Sequence, residues 1–258
     1  MSGFGTRFLG RVRWGVRQRG LVGMLRMEAG RLLRGGAEGK KTAHPFDAEH
    51  AVETSGLING GELPGGHAHD VFSTAYFGVP PSRMRTLLGL WRETEGVGAV
   101  ESYVFVDVGC GKGRALLLAA ELPFREVVGV ELNRELAEVA RGNAERWKEL
   151  GRAKSPMRVV CGDATEVEMP RGPLLVYLYN PFRAEVLRRL LGRLDGWAAE
   201  TGGAVEVIYL YPEEEEVFAE FSRFRRLWTE QVGLAAEDVG VDAISAAEDP
   251  CSLYRWVD

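Results

Sequence analysis

Residues 104 to 120, Val-Phe-Val-Asp-Val-Gly-Cys-Gly-Lys-Gly-Arg-Ala-Leu-Leu-Leu-Ala-Ala, constrain the fold more than any other stretch. An apolar run breaks into alternating glycines and resumes as a leucine-rich run, which reads as strand, tight loop and helix. Gly109, Gly111 and Gly113 carry no Cβ, so the backbone can take positive φ and a ligand can approach it closely. A nucleotide-like ligand fits such a loop. Asp107, at the end of the strand, opposes the pyrophosphate that a dinucleotide places on this turn, and a cationic or hydroxyl-bearing ligand suits it better. The spacing Gly-x-Gly-x-Gly also departs from the dinucleotide Gly-x-Gly-x-x-Gly.

Further apolar runs repeat the pattern of a strand that ends in a polar group. Residues 126–131 end in Glu131, about twenty residues beyond the loop, where a parallel neighbour strand places its carboxylate to accept from two ribose hydroxyls. Residues 157–164 end in Gly162-Asp163-Ala164. That carboxylate can accept from the exocyclic amine of adenine while a neighbouring backbone N–H donates to the ring, although Gly-Asp also simply makes turns. Residues 174–182 are almost wholly apolar, hence central, and end in Asn180-Pro181-Phe182 at the carboxyl edge of the sheet. Asn180 reads either as a site amide or as the cap of the next helix, while Tyr177 and Tyr179 alternate as core residues do.

A fifth strand over 204–211 precedes Pro212 and Glu213 to Glu216, which predict a helix start. The runs 224–232 and 252–257 suit an antiparallel hairpin at a sheet edge. Upstream of the glycine loop, Pro80-Pro81-Ser82 opens a helix carrying Met84, Leu87, Leu88 and Trp91, which puts Tyr76 and Phe77 on a segment able to lid the ligand. The expected fold is therefore α/β: a Rossmann-like, seven-stranded, mostly parallel sheet with a terminal antiparallel hairpin, helices on both faces and a basic helical N-terminal extension.

Residues 1 to 41 hold ten Lys/Arg against Glu28 and Glu38, a net of +8, which leaves −13 for the remainder of a chain whose total is −5. This divides the 258 residues into an extension and linker over 1–69 and a domain over 70–258. The arm either packs on the domain or meets nucleic acid or an anionic surface. Residues 35–66 read as linker and loop, rich in Gly, Thr, Ser, Asn and Pro. No apolar run nears the roughly 18 residues of a membrane span, and no apolar leader with a cleavage site opens the chain, so a cytoplasmic location is expected. Cys110, Cys161 and Cys251 lack metal spacing and are odd in number, which argues for free thiols. His67-Ala-His-Asp70 has no further ligand cluster near it and reads as a polar loop, so no metal is expected.

Asp107-x-Gly-x-Gly-x-Gly113, Glu131, Asp163, Asn180-Pro-Phe182 and the terminal strand pair together resemble the class I S-adenosylmethionine-dependent methyltransferases, over roughly residues 70–258. The first motif is similar to the Asp-x-Gly-Cys-Gly-Lys-Gly-Arg form of bacterial members, and Glu131-Leu132-Asn133 is similar to an element of non-SET protein lysine methyltransferases. The resemblance implies S-adenosylmethionine as cofactor, with its methionine portion on the glycine loop, its ribose on Glu131 and its adenine on Asp163 and Ala164. Methyltransferases acting on amino groups of adenine or glutamine show Asn/Asp-Pro-Pro-Tyr/Phe, whereas this chain has a single proline before Phe182. Asn180, Phe182 and Tyr76 are the expected acceptor-side residues. The expected acceptor bears an amine, a protein lysine among the candidates. The competing readings are a nucleic-acid methyltransferase docked by the arm and a nucleotide-binding module without catalysis, with a dinucleotide oxidoreductase weakest.

Overall fold

The computed structural model describes residues 44–58, 75–239, 241 and 245–258. The basic arm and the His67-Ala-His-Asp70 group lie outside the described residues.

Seven strands form one sheet: β3 (Val104–Val108), β4 (Glu126–Glu131), β5 (Met157–Cys161), β6 (Leu174–Tyr179), β7 (Val205–Leu210), β8 (Phe224–Gly233) and β9 (Glu248–Trp256). Their spatial order is β5-β4-β3-β6-β7-β9-β8. The first five are mutually parallel, and β9 runs antiparallel between β7 and β8. The expected terminal hairpin is present, with β9 beginning at Glu248, earlier than the apolar run suggested. A small antiparallel pair, β1 (Leu57–Ile58) and β2 (Tyr76–Phe77), stands apart from the sheet.

Alternation along the strands feeds two cores. Val104, Val106 and Val108 face one side with Leu187, Leu190, Leu191 and Leu194 of helix α5 (Ala184–Thr201). Phe105 and Tyr177 face the other, with α2 (Pro81–Glu93), α3 (Arg114–Ala119) and α4 (Arg134–Glu149). Each of those leucines, at most 1% exposed, contributes about 1.5–3 kcal/mol through burial. Asn133 caps α4, its Oδ1 accepting the Leu136 N–H at 3.0 Å. The strand order reverses beside β3, so a crevice opens at the carboxyl ends of β3 and β6, where such sheets bind ligands.

Two expectations need correction. Residues 44–58, read as linker, carry helix α1 (Pro45–His50) and strand β1, and they pack on the domain within a compact unit that starts at Ala43. A buried partner about sixty residues away, Arg114, holds them there, and local composition carries no trace of it. Glu213 to Glu216 do not open an α-helix but a turn and a 3-10 helix, Glu215–Glu220. Those acids are taken up as partners. Glu215 accepts from Tyr254 Oη at 2.8 Å, and Glu213 pairs Arg183 at 3.2 Å.

Candidate active site

The glycine loop leaves β3 through three left-handed residues, Gly109, Gly111 and Gly113, at φ 72, 54 and 85°. The backbone N–H groups of Gly109 and Cys110 both donate to Val130 O, at 2.8 and 3.1 Å, which fastens the loop to the end of β4. Glu131 completes the fastening. Its Oε2 accepts the Gly111 N–H and its Oε1 the Asn133 N–H, each at 2.8 Å. Burial raises the Glu131 pKa, and these two N–H groups act against that rise by favouring the charged form.

Around the loop lies a cleft of about 1060 Å³, its mouth included. Tyr76, Asp107, Gly109, Gly111, Glu131, Asp163, Ala164 and Phe182 all line it. Of the expected residues, Gly113 and Asn180 are not in its wall. Gly113 forms the N-cap of α3, where a Cβ would come 3.3 Å from Ala140 Cβ. Asn180 is turned inward. It holds φ 43°, its Oδ1 accepts from Tyr209 Oη at 3.3 Å, and Pro181 and Phe182, which follow it, line the cleft.

Asp107 is 3% exposed, and its Oδ2 has no hydrogen-bond partner. Burial first, then the neighbouring Glu131 charge, push its pKa up to about 8. Asp163 does make the turn that Gly-Asp predicts: its Oδ1 accepts from the N–H and hydroxyl of Thr165, both at 2.7 Å. The same residue still contributes to the cleft.

The roof over the loop comes from before the domain's expected start. Arg114, 3% exposed, donates Nε–H to Thr54 Oγ1 at 2.7 Å and an NH2 hydrogen to Ser55 Oγ at 2.9 Å, and stands 3.5 Å from Asp47. Thr54 O in turn accepts from Tyr76 Oη at 2.6 Å. Gly78 leaves room for the passing guanidinium, since a Cβ there would lie 2.9 Å from Arg114 Cζ. Asn143 clips the same segment from α4, donating to Glu53 O and Lys112 O at 2.8 Å each. Sequence reasoning overlooked Arg114, Asp47 and Thr54. The available signal was an arginine opening a run of apolar residues, which must be buried with a carboxylate or escape to water. Tyr177 was read as core only; it is 1% exposed, yet its hydroxyl lacks a partner and it lines the cleft.

Among the described residues, no group of three or more His, Cys, Asp or Glu could hold a metal ion, and no helix is long and apolar enough to cross a membrane.

A family model described as a methyltransferase domain matches residues 105–194. A search of curated proteins gave no match. Among solved structures, the chain is similar to a ribosomal protein L11 methylase from Lactobacillus delbrueckii subsp. bulgaricus, at 19% identity and TM-score 0.44, covering 70% of this chain and 81% of that one. It is similar to a tRNA (uracil-54, C5)-methyltransferase from Pyrococcus abyssi in complex with S-adenosyl-L-homocysteine, at 19% identity and TM-score 0.46, covering 70% and 39%. A third is geranyl diphosphate C-methyltransferase from Streptomyces coelicolor A3(2), at 14% identity and TM-score 0.42, covering 67% and 78%. The matched segment 105–194 holds the glycine loop, Glu131, Asp163 and Asn180-Pro-Phe182 in one run, and over that segment the chain is similar to methyltransferase domains.

Proposed function

We propose that this methyltransferase moves the methyl group of S-adenosylmethionine to an amine-bearing acceptor, a protein lysine among them. One observation carries the cofactor's fit: a buried carboxylate, Asp107, has an unpartnered oxygen in the wall of a cleft that also presents Glu131. A cationic ligand with hydroxyls answers both groups. Glu131 keeps lone pairs beyond the two backbone bonds it accepts, enough for a ribose diol. Asp163 and the Ala164 backbone would take adenine, and the glycine loop the methionine portion.

S-adenosylmethionine supplies an already activated methyl group, so the chain's own work is alignment and exclusion of water. Tyr76, held by Thr54, closes the glycine loop from above, while Phe182 and Tyr179 wall the cleft on the side of β6. Arg183, next to Phe182, faces both Glu213 at 3.2 Å and Glu214 at 3.8 Å, so two carboxylates meet one guanidinium beside the cleft. With −13 over the chain beyond residue 41, this surroundings favours a cationic acceptor over a phosphate backbone. The +8 arm supports a second reading, nucleic-acid methylation with the arm as the docking element. We take the catalytic domain to begin near Ala43, where the compact unit starts. A cytoplasmic setting suits three cysteines that are all unpaired.

The deciding experiment is transfer of tritiated methyl from S-adenosylmethionine to fractionated lysate, with protease and nuclease treatment of the products. Label lost to protease, or in a small amine, supports the amine reading. Label lost to nuclease alone overturns it in favour of nucleic acid.

A further inference from the structure

The two cations in the glycine loop's Gly-Lys-Gly-Arg run, Lys112 and Arg114, both hold the roof. Lys112 Nζ donates to Glu53 Oε1 at 2.5 Å and to Ser55 O at 3.2 Å. Arg114 adds Gly78 O, at 3.3 Å, to its bonds with Thr54 and Ser55. Asn143 of α4 supplies a further hold: its Oδ1 accepts the Glu53 N–H and its amide donates to Glu53 O and Lys112 O, each at 2.8 Å. From α1, Asp47 accepts the N–H groups of Thr54 and Ser55 at 2.8 and 2.7 Å. What these side chains hold is a single piece. Leu57 and Ile58 pair with Phe77 and Tyr76 as β1 and β2, and Tyr76 Oη is bonded to Thr54 O, which joins residues 53–58 to 76–78.

That piece buries little apolar surface. Leu57 is 52% exposed, and Tyr76 and Phe77 are half-buried. Phe46 of α1, by contrast, is buried with its ring centroid 5.5 Å from that of Trp147, which fixes α1 to α4. Elements held by polar bonds over little apolar burial open locally at low cost, and binding-site lids are drawn from such elements. Tyr76 also covers the loop, since its ring occupies the place of a Gly111 Cβ. A ligand that approaches the loop backbone from that side meets the ring first.

Resting on the assignment of S-adenosylmethionine to this cleft, we propose that Lys112, Arg114 and Asn143 are positioning residues that latch the roof, and that cofactor enters and leaves only while the piece formed by 53–58 and 76–78 is lifted. Tyr76, Phe77 and Gly78 line the cleft, so bound cofactor adds contacts to the lowered roof and holds it down. Asn143, Lys112 and Glu53 lie outside the cleft wall, so the bonds among them are the same with cofactor in or out. Weakening those bonds raises the lifted population by one factor in both states. Association and dissociation then quicken together, and their ratio, the affinity, stays. A residue that merely supports the cleft behaves otherwise, because its loss speeds dissociation alone.

Stopped-flow binding of S-adenosylhomocysteine to the full chain separates the two behaviours. Asn143→Ala, which removes three bonds, raises both rate constants about tenfold and leaves Kd within about twofold of the unaltered protein. Glu53→Ala removes the solvent-facing pair with Lys112 and gives the same paired rise at about two- to fivefold, which keeps the test open where Asn143→Ala does not fold. In the unaltered protein, hydrogen exchange at the Glu53 amide, bonded to Asn143 while the roof is down, slows at least tenfold on saturation with S-adenosylhomocysteine. Rates unmoved in a folded Asn143→Ala, dissociation that quickens without association in either variant, or Glu53 exchange indifferent to S-adenosylhomocysteine overturns the latch and leaves the cofactor assignment standing. No binding of S-adenosylhomocysteine by the folded protein overturns the assignment and the latch together.

Discussion

Tyr76 lies against Gly111 so closely that a Cβ on the glycine would fall 2.1 Å from the ring's Cε2, while the tyrosine hydroxyl is tied to Thr54 O at 2.6 Å. The glycine loop and the segment that roofs it are thus fitted to each other. Gly111→Ala forces the ring or the loop aside and adds the strain of a φ of 54°, together about 1–3 kcal/mol. The expected result is a lower melting temperature and at least a tenfold weaker affinity for S-adenosylhomocysteine by calorimetry. Adding Tyr76→Ala relieves the clash and leaves the strain, so only part of the stability returns. Unchanged affinity in Gly111→Ala would show that the ring and loop are not a unit.

Asp47 gives the roof a pH dependence. Its burial raises the pKa, but the bonds from Thr54 and Ser55 and the charge of Arg114 outweigh burial and hold it below the ordinary 3.8. A carboxylate depressed in the folded state contributes stability that is present above its unfolded pKa and is lost as pH falls through the folded value. Acid titration of the melting temperature should therefore show a loss below about pH 4 that Asp47→Asn removes. At neutral pH Asp47→Ala strands Arg114 in the interior and costs about 3–5 kcal/mol. Glu53→Ala, which breaks the solvent-facing pair with Lys112, costs about 1 kcal/mol or less by chemical denaturation.

How far these features were legible in the sequence follows from the range of the forces involved. The strand–loop–helix of 104–120, the acid ending β4 and the Pro ending β6 are set by neighbours within a few residues, and periodicity exposes them. The hairpin was legible because the two β-like runs, 224–232 and 252–257, have no long helical run between them. Arg114's bond to Thr54 spans sixty positions, and the Trp91–Glu206 bond spans 115. No local pattern encodes such partners, so α1 passed for linker. Asn180 shows a subtler limit. Sequence offers it both as a site amide and as a helix cap, and the bond its amide oxygen accepts from Tyr209, 29 positions away, is legible only in the packed structure.

Glu206 separates stability from binding. It is 1% exposed near the start of β7, and its two oxygens accept from Trp91 Nε1 at 2.6 Å and Arg255 Nε at 2.7 Å. Parallel strands bind ligand at their other ends, so this network supports the sheet away from the cleft. Glu206→Ala should cost about 3–5 kcal/mol in urea unfolding, because Arg255 loses its counterion and Trp91 its acceptor. Well below the melting temperature, the affinity for S-adenosylhomocysteine should stay within about twofold of the unaltered protein. A tenfold loss would place Glu206 in the binding network.

Asp163 has a turn to hold and, in the proposed function, a base to read. Its Oδ1 is occupied by the Thr165 N–H and hydroxyl, and an asparagine's amide oxygen can take over that task. Asp163→Asn should therefore melt within a few degrees of the unaltered protein, as a substitution that spares the turn costs under about 1 kcal/mol. Recognition should change more than stability. A carboxylate accepts from the exocyclic amine of adenine, whereas an asparagine NH2 can donate to the carbonyl that replaces that amine in hypoxanthine. Competition binding of S-adenosylhomocysteine against its inosine counterpart measures the difference, and the preference for the adenine compound should narrow by about tenfold or more in the variant. A preference that does not move would remove Asp163 from adenine recognition and leave it as a turn residue at the edge of the cleft.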